Sequence, residues 1–221
     1  MLPLPPLYPI VDVDLCRLRG LDPLAVLAAC LEGGATFIQL RDKDPSSGVR
    51  LDRADAAVAL TRRAGARLIV NDRADLARLS GADGVHVGQE DLPVEAARRI
   101  VGPGAIVGIS THDEAQIAAA VRTSASYLAV GPIFGTASKD TGYTARGLAL
   151  VRHALRLADA RSGQAGPARP IVAIGGITLE RAPQVIAAGA ASVAVISDLL
   201  TGGDPAARTR AFLDCLSERR V

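Results

Sequence analysis

The residues at positions 39, 41 and 43 form the pattern that points most directly to chemistry. Gln39, Arg41 and Lys43 alternate along the segment FIQLRDK, so an extended backbone would project all three side chains to one side. Arginine binds phosphate oxygens through its two-pronged guanidinium group, and lysine adds a compact positive charge. The pattern therefore indicates a phosphate-binding strand end, although an exposed strand end with ordinary surface charge would have the same sequence.

Two aspartates, Asp72 and Asp91, follow apolar runs that are neighbours along the chain. Carboxylate oxygens suit Mg²⁺, which keeps several of its waters and commonly binds substrate phosphates as well. The cationic residues Arg41, Lys43 and Lys139 favour a site for pyrophosphate and metal over a glycosidase-like acid–base pair. Each aspartate alone could instead be a helix cap, and Asp91 precedes a proline-containing segment typical of a helix start.

Glycine- and hydroxyl-rich segments follow the last three apolar runs that we interpret as strands. The segment 131–139 reads GPIFGTASK, and its amides, hydroxyl groups and lysine could surround an anion and close over a site as a lid. The segments IGGIT at 174–178 and ISD at 196–198 occupy positions where barrels often build a monophosphate site. A flexible surface loop and ordinary turns with helix caps are the alternative interpretations.

The three histidines form no recognisable catalytic or metal-binding pattern. His86, His112 and His153 lack the H-x-x-x-H spacing of zinc sites, and no Ser/His/Asp or Cys/His arrangement stands out. We expect His86, at the end of an apolar run, to be a structural hydrogen-bonding residue rather than a catalytic base. Phosphate binding is therefore the chemical theme that the polar residues share.

Short apolar runs alternate with amphipathic segments along the chain, and the polar residues described above follow the apolar runs. We predict eight strands, at residues 7–13, 36–40, 67–70, 84–87, 105–108, 127–130, 171–174 and 192–196. We predict eight helices, at residues 23–32, 49–64, 74–79, 94–100, 114–122, 148–160, 179–188 and 205–216. Eight strand–helix units predict a closed (β/α)8 TIM barrel, an α/β fold whose catalytic residues lie at the carboxyl ends of the strands. An open sheet with a miscounted strand is the alternative.

Length and composition limit the fold and its partners. The 221 residues suit one barrel domain over 1–221, with the proline-rich residues 1–6 as an N-terminal arm. Apolar residues make up 49% of the chain but aromatic residues only 3%, which argues against a base-stacking surface. The net charge of +2 is interspersed, so we expect no nucleic-acid partner.

The cysteines and the hydropathy pattern bear on where the protein acts. Cys16, Cys30 and Cys215 are odd in number and lack CxxC spacing, which fits a reducing cytosol better than a disulfide framework. No apolar run approaches the roughly 20 residues of a membrane span. We therefore expect a cytoplasmic protein without a membrane partner, and a homo-oligomer is possible.

Taken together, seven segments of the chain resemble thiamine phosphate synthases. They are FIQLRDK (37–43), LIVNDRADLA (68–77), ADGVHVGQEDLP (82–93), IVGISTH (106–112), YLAVGPIFGTASKDTG (127–142), IVAIGGIT (171–178) and VAVISDL (193–199). The segments occur in order over nearly the whole chain, and their combination is more specific than any single motif. The resemblance implies a magnesium-dependent transferase with small-molecule substrates.

The resemblance also implies a role for each matching residue. A pyrimidine pyrophosphate would be bound by Gln39, Leu40, Arg41, Asp42, Lys43, Asn71, Ser110 and Lys139. A thiazole phosphate would be bound by Thr136, Ala137, Ser138, Gly176, Ile196 and Ser197, and Mg²⁺ by Asp72 and Asp91. The catalytic residues would be Arg41, Lys43, Ser110 and Lys139. At Ser138 the family commonly has threonine, and because serine keeps the hydroxyl group we expect phosphate binding to persist.

The implied reaction joins hydroxymethylpyrimidine pyrophosphate to hydroxyethylthiazole phosphate, giving thiamine phosphate and pyrophosphate. Pyrophosphate would leave the pyrimidine methylene group and the thiazole nitrogen would capture the resulting cation, so the site needs fixed positive charge and exclusion of water. Three alternatives are a thiazole tautomerase-like barrel, another phosphate-binding barrel such as a sugar-phosphate isomerase, and a catalytically silent binder of thiamine precursors. Magnesium-dependent pyrophosphate release would separate the synthase from all three.

Overall fold

The computed structural model describes residues 2–135, 144–160 and 169–217. The strands are β1 (Leu7–Asp12), β2 (Phe37–Arg41), β3 (Arg67–Asn71), β4 (Gly84–Val87), β5 (Ile106–Thr111), β6 (Tyr127–Val130), β7 (Ile171–Ile174) and β8 (Ser192–Val195). They are parallel and form a closed barrel in chain order, in which β8 pairs with β1. The predicted (β/α)8 TIM barrel is confirmed, and the alternative of an open sheet is wrong.

Helices connect successive strands and cover the outside of the barrel. They are α1 (Val13–Leu18), α2 (Pro23–Glu32), α3 (Ser47–Arg63), α4 (Ala74–Ser80), α5 (Val94–Val101), α6 (Glu114–Ala120), α7 (Gly147–Ala160), α8 (Ala182–Ala187) and α9 (Pro205–Ser217). A 3₁₀ helix spans Ser197–Gly203. The sequence pattern predicts neither α1 nor the 3₁₀ helix, because so few residues cannot show a helical period.

None of the helices in the described ranges is long and apolar enough to cross a membrane. The cytoplasmic location and the homo-oligomer stay predictions.

Two predicted boundaries are wrong for identifiable reasons, and the others agree to within two residues. β5 continues to Thr111 rather than ending at residue 108, because its last two residues pair with β6. α8 begins at Ala182 rather than at residue 179, since Pro183 lies in its first turn, where a missing N–H group is tolerated. The longer β5 bears on function, because it places Ser110 on a strand rather than in a loop.

Two apolar layers hold the barrel together. The larger layer lies between strands and helices and includes Leu27 and Val151. The smaller layer fills the barrel interior and includes Tyr8, Phe37 and Tyr127, whose rings contact one another at centroid distances of 4.5–6.1 Å. Three of the few aromatic rings in the chain therefore lie inside the barrel.

The segment before β1 packs against this interior. Leu4 is buried within the interior layer, and the carbonyl group of Pro6 accepts a hydrogen bond of 2.8 Å from the amide of Val193. Residues 2–6, expected to form an arm, thus cover the amino-terminal end of the barrel and leave the carboxyl end open for a site.

Candidate active site

A cavity of about 510 Å³ opens at the carboxyl ends of the strands. Its wall includes Ser110 of β5, Gly176 after β7, and Ile196 and Ser197 after β8. Closure of the barrel thus brings together four predicted site residues from three segments that are far apart in the sequence. This side of the barrel mouth corresponds to the predicted thiazole phosphate site, together with Ser110 from the predicted pyrophosphate site.

The backbone after β7 is in a conformation that favours glycine. Gly175 and Gly176 have φ angles of 104° and 60°, which glycine adopts at little cost and other residues rarely adopt. A Cβ atom on Gly176 would lie 2.3 Å from the carbonyl oxygen of Gly135, so the segments after β6 and β7 approach closely. A ligand in the cavity can therefore contact main-chain groups directly.

The predicted lid residues Thr136, Ala137, Ser138 and Lys139 lie outside the described residues. Their assignment to the two substrates stays a prediction.

The two predicted metal ligands lie together at the ends of neighbouring strands. The carboxyl groups of Asp72 and Asp91 are close enough to shift each other's pKa values, and the ammonium group of Lys43 forms an ion pair with Asp72. Asp91 does not cap α5. It instead accepts a hydrogen bond of 2.7 Å from the amide of Gly88, and the residue before α5 is Pro93.

The backbone of Asp72 is in an unusual conformation. Its φ angle is 63°, and within the described ranges every other residue with positive φ is a glycine. An aspartate in this region costs of order 1 kcal/mol or more, and such strain is concentrated at functional sites. The amide of Asp72 donates a hydrogen bond of 2.7 Å to the carbonyl group of His86, which fixes this turn against β4.

The neighbours of the two carboxyl groups shift their pKa values in opposite directions. Burial and the adjacent Asp72 carboxylate raise the pKa of Asp91, against a smaller effect of the bond from Gly88. Burial also acts to raise the pKa of Asp72, but hydrogen bonds with Lys43 and Asp91 outweigh it, and the pKa of Asp72 is lowered. Two acidic groups held this close repel each other when both are ionised, so the pair requires a cation or a shared proton.

Side chains along β2 point alternately to the barrel interior and to the helices. Leu40 belongs to the layer under the helices, and Asp42 forms an ion pair with Arg53 of α3. Both side chains therefore face away from the barrel mouth, so that only their main-chain groups could contact a ligand there. Arg41 faces the other way and forms an ion pair with Asp12.

Asp12 is a site residue that the sequence analysis misses. It is the last residue of β1, its Oδ2 pairs with Arg41, and its Oδ1 accepts a hydrogen bond of 2.9 Å from the amide of Leu15. It thereby caps the short helix α1 and holds an arginine at the barrel mouth. The signal in the sequence is an aspartate at the end of an apolar strand, followed by Asp14 in the first turn of a helix.

Two further arginines, Arg19 after α1 and Arg181 before α8, line the cavity. The guanidinium group of Arg181 donates a hydrogen bond of 3.0 Å to the carbonyl group of Gly176 and lies 4.9 Å from the centre of the Phe134 ring. Neither arginine stands in a motif, so the sequence gives no signal that separates them from the many surface arginines.

The remaining predicted residues, Gln39 and Asn71, are buried at the ends of β2 and β3. The side-chain amide of Gln39 donates a hydrogen bond of 2.8 Å to the hydroxyl group of Tyr8. Asn71 lies opposite His86 in the pairing of β3 with β4. Gln39 therefore lies in the barrel interior, and Asn71 directly precedes Asp72 of the carboxylate pair.

A chain of hydrogen bonds crosses the barrel interior from β1 to β5. The hydroxyl groups of Tyr8 and Tyr127 are 3.0 Å apart, and the Tyr127 hydroxyl lies 2.9 Å from Nδ1 of His86. Nε2 of His86 lies 2.8 Å from Oγ of Ser110. His86 thus makes two side-chain hydrogen bonds, as expected of a structural hydrogen-bonding residue, and it joins the two sides of the barrel mouth.

Because Gly108 has no side chain, it leaves room for the hydrogen-bonded rings of Tyr127 and His86. A Cβ atom on Gly108 would lie 2.1 Å from Cζ of Tyr127 and 2.6 Å from Nδ1 of His86. We therefore expect Gly108→Ala to force the two rings apart and to lower the free energy of unfolding by about 1–3 kcal/mol, measured by urea denaturation. Gly104→Ala is the matched control, because nothing lies within 4 Å of its added methyl group. Equal stability of the two variants would show that the interior tolerates the added atom.

Comparison with known proteins finds relatives over most of the chain. The family described as thiamine monophosphate synthase matches residues 7–199. A thiamine-phosphate synthase of Roseiflexus castenholzii is 42% identical over 212 residues, which cover 96% of this chain and 88% of that protein. A thiamine-phosphate synthase of Chlorobium luteolum is 41% identical over 202 residues, which cover 90% of each chain.

Solved structures give the same result. A thiamine phosphate pyrophosphorylase from Pyrococcus furiosus superimposes with a TM-score of 0.82 at 31% identity, over 96% of this chain and 95% of that chain. A 3-hexulose-6-phosphate synthase superimposes with a TM-score of 0.63 at only 16% identity, a likeness of fold alone. The family match spans all eight strands and the predicted site residues, and the chain therefore belongs to the thiamine monophosphate synthase family.

Proposed function

We propose that the protein is a thiamine-phosphate synthase, a transferase that joins hydroxymethylpyrimidine pyrophosphate to hydroxyethylthiazole phosphate and releases pyrophosphate. The observation that carries the proposal is the cluster of Asp72, Asp91 and Lys43 at the barrel mouth. A cavity whose glycine-rich wall would suit a monophosphate also opens at the carboxyl ends of the strands. Membership of the family and relatives that carry this name over almost the whole chain support it.

The carboxylate pair fits the Mg²⁺ ion that the family resemblance implies. Asp72 and Asp91 would hold it, because two hard oxygen donors at close range are a usual protein contribution to a magnesium site that also takes water and phosphate oxygens. The described residues contain no group of three or more His, Cys, Asp or Glu side chains that could hold a metal. When bound, Mg²⁺ would supply positive charge that stabilises the departing pyrophosphate.

The chain's own cations would stabilise the same developing charge. As the bond between the pyrimidine methylene carbon and the pyrophosphate oxygen breaks, both electrons stay with pyrophosphate, and its negative charge grows. Lys43 and Arg41 are held at the barrel mouth by carboxylates, so their positive charges are positioned before the substrate arrives. Fixed charges of this kind lower the barrier because they need no reorientation during the reaction.

Bond formation then requires that the two substrates are oriented and that water is excluded, and it requires no proton transfer. The lone pair of the thiazole nitrogen forms the new bond to the methylene carbon, and no proton changes place in this step. The cavity wall would place the thiazole phosphate through main-chain groups near Gly176 and Ser197. Ser110 lines the same cavity and would contact the pyrimidine pyrophosphate there. The apolar residues Leu15, Ile177 and Ile196 in the same wall would keep water from the cation.

The proposal is tested by measuring pyrophosphate and thiamine phosphate with the purified protein and Mg²⁺. We expect both products to appear in equal amounts when both substrates are present, and neither product when one substrate or the metal is omitted.

Tight binding of the thiazole phosphate without pyrophosphate release would contradict the proposal. Exchange of protons on that ligand would then indicate a tautomerase-like barrel, and no chemical change would indicate a silent binder.

A further inference from the structure

The hydrogen-bonded chain in the barrel interior extends deeper than a ligand can reach. It runs from Gln39 through Tyr8, Tyr127 and His86 to Ser110. Tyr8 and Tyr127 are 1% and 0% exposed, whereas Ser110 lies in the wall of the cavity. The two tyrosines can therefore influence a bound substrate only through the residues at the ends of the chain.

The donors and acceptors in the chain favour one direction. The Nε2 group of Gln39 can only donate, so the Tyr8 hydroxyl accepts from it and keeps its own proton for Tyr127. Tyr127 in turn donates to Nδ1 of His86, which must then lack a proton. The imidazole proton is left on Nε2, where it is donated to Oγ of Ser110.

The opposite direction leaves a buried donor without a partner. If Nδ1 of His86 carried the proton, Tyr127 would accept it and donate to Tyr8, whose own proton would then need another acceptor. Among the described residues, the Tyr8 hydroxyl is hydrogen-bonded only to Gln39 and Tyr127. Both of these groups would donate to the Tyr8 oxygen, so neither could accept the Tyr8 proton. A buried hydroxyl hydrogen without an acceptor costs about 1–3 kcal/mol, so the first direction prevails.

The tyrosines remain protonated under ordinary conditions. Burial raises the pKa of Tyr8, and burial together with Tyr8 raises the pKa of Tyr127 well above the usual range. Each phenol group therefore keeps a proton to donate near neutral pH.

We propose that Tyr127 is a positioning residue, which holds His86 with its proton on Nε2 and so directs the hydroxyl proton of Ser110 toward the ligand in the cavity. Because Ser110 accepts from His86, its own hydrogen is free to point to a substrate oxygen or nitrogen. That the ligand is the pyrimidine pyrophosphate rests on the proposed function, whereas the orientation of the chain rests on the hydrogen bonds alone.

The first test is the tautomer of His86, measured by ¹⁵N NMR of histidine-labelled protein at neutral pH without substrate. A His86→Gln variant assigns the signals among the three histidines. We expect Nε2 of His86 to carry the proton in the unmodified protein. A proton on Nδ1, or on both nitrogens, would overturn the proposal even if the protein proved to have another activity.

Two matched variants separate the tyrosines in the same measurement. Tyr127→Phe removes the donor to Nδ1 and is expected to give a mixture of tautomers. Tyr8→Phe removes an equally buried hydroxyl group but leaves Tyr127 to donate, so the Nε2 tautomer should persist. The same spectrum for both variants would show that Tyr127 does not hold the imidazole.

The second test asks whether Tyr127 acts through Ser110. Tyr127→Phe is expected to lower kcat/KM for the pyrimidine pyrophosphate roughly tenfold, the effect of one lost hydrogen bond. In a Ser110→Ala background the same change is expected to have less than about a twofold effect. Full additivity of the two substitutions would mean that Tyr127 has only a structural role, and the proposal would fail.

Ser192→Ala controls for the loss of a buried hydroxyl group in the barrel wall, because no described residue bonds to that hydroxyl. We expect it to leave kcat/KM unchanged. If Tyr127→Phe does not fold, the tautomer in the unmodified protein and in Tyr8→Phe still decides the proposal. If the unmodified protein forms no product at all, the proposed function fails while the NMR result stands by itself.

Discussion

Replacing Asp91 with asparagine is expected to lower kcat/KM for pyrophosphate release roughly 10²–10³-fold, the size of effect seen when one preorganised electrostatic group is removed. Asparagine keeps the shape of the side chain and one oxygen, so the turn after β4 should persist. The negative charge that would hold Mg²⁺ opposite Asp72 is lost. The measurement is the rate of pyrophosphate release over a Mg²⁺ titration, in which the variant should require more metal.

A binding measurement separates loss of the metal from loss of catalysis. Mg²⁺ together with pyrophosphate should raise the thermal midpoint of the unmodified protein, because a ligand that binds only the folded state stabilises it. The same addition should have little effect on Asp91→Asn. Asp55→Asn is the control, since Asp55 is an exposed residue of α3 that carries the same charge. If Asp91→Asn had the activity of the unmodified protein and Mg²⁺ with pyrophosphate raised its thermal midpoint by the same amount, the metal would bind elsewhere.

The barrel could be predicted because its signal is repeated eight times. Each strand is a short apolar run, such as Tyr127–Val130, and each is followed by a segment with helical periodicity. A closed barrel then requires the strand ends to meet at one mouth, so the sequence alone predicts that Asp72 and Asp91 lie at the ends of neighbouring strands. Because the strand–helix pattern recurs, the prediction of a barrel survives an error in the bounds of any one strand or helix.

The contacts between side chains could not be predicted in the same way. Arg41 and Lys43 are expected from the sequence to bind phosphate, but each is paired with an aspartate in the folded chain, Asp12 and Asp72. These pairings depend on which strands become neighbours and on the depth of each residue in the barrel. The role of Tyr127 is hidden for the same reason, because a tyrosine in an apolar run has the pattern of a core residue.

The pairing of Arg41 with Asp12 leads to the second prediction with a large effect. Arg41→Lys is expected to lower kcat/KM for the pyrimidine pyrophosphate roughly 10²-fold, although the charge is kept. Arginine can contact Asp12 with one part of its planar group and phosphate with the rest, whereas lysine offers one compact ammonium group. The measurement is steady-state kinetics with each substrate varied, in which binding of the thiazole phosphate should change little.

Arg53→Lys is a closely matched control for Arg41→Lys. The Arg53 side chain is 14% exposed and pairs with buried Asp42, and that of Arg41 is 16% exposed and pairs with buried Asp12. The two pairs lie on opposite sides of the barrel wall. Arg53 belongs to α3 and lies outside the wall, whereas Arg41 lies at the barrel mouth. We expect both substitutions to reduce stability by similar amounts and only Arg41→Lys to reduce activity strongly. If both variants lost activity in proportion to stability, Arg41 would be a structural residue, and the positive charge for the leaving group would have to come from Lys43 and the metal.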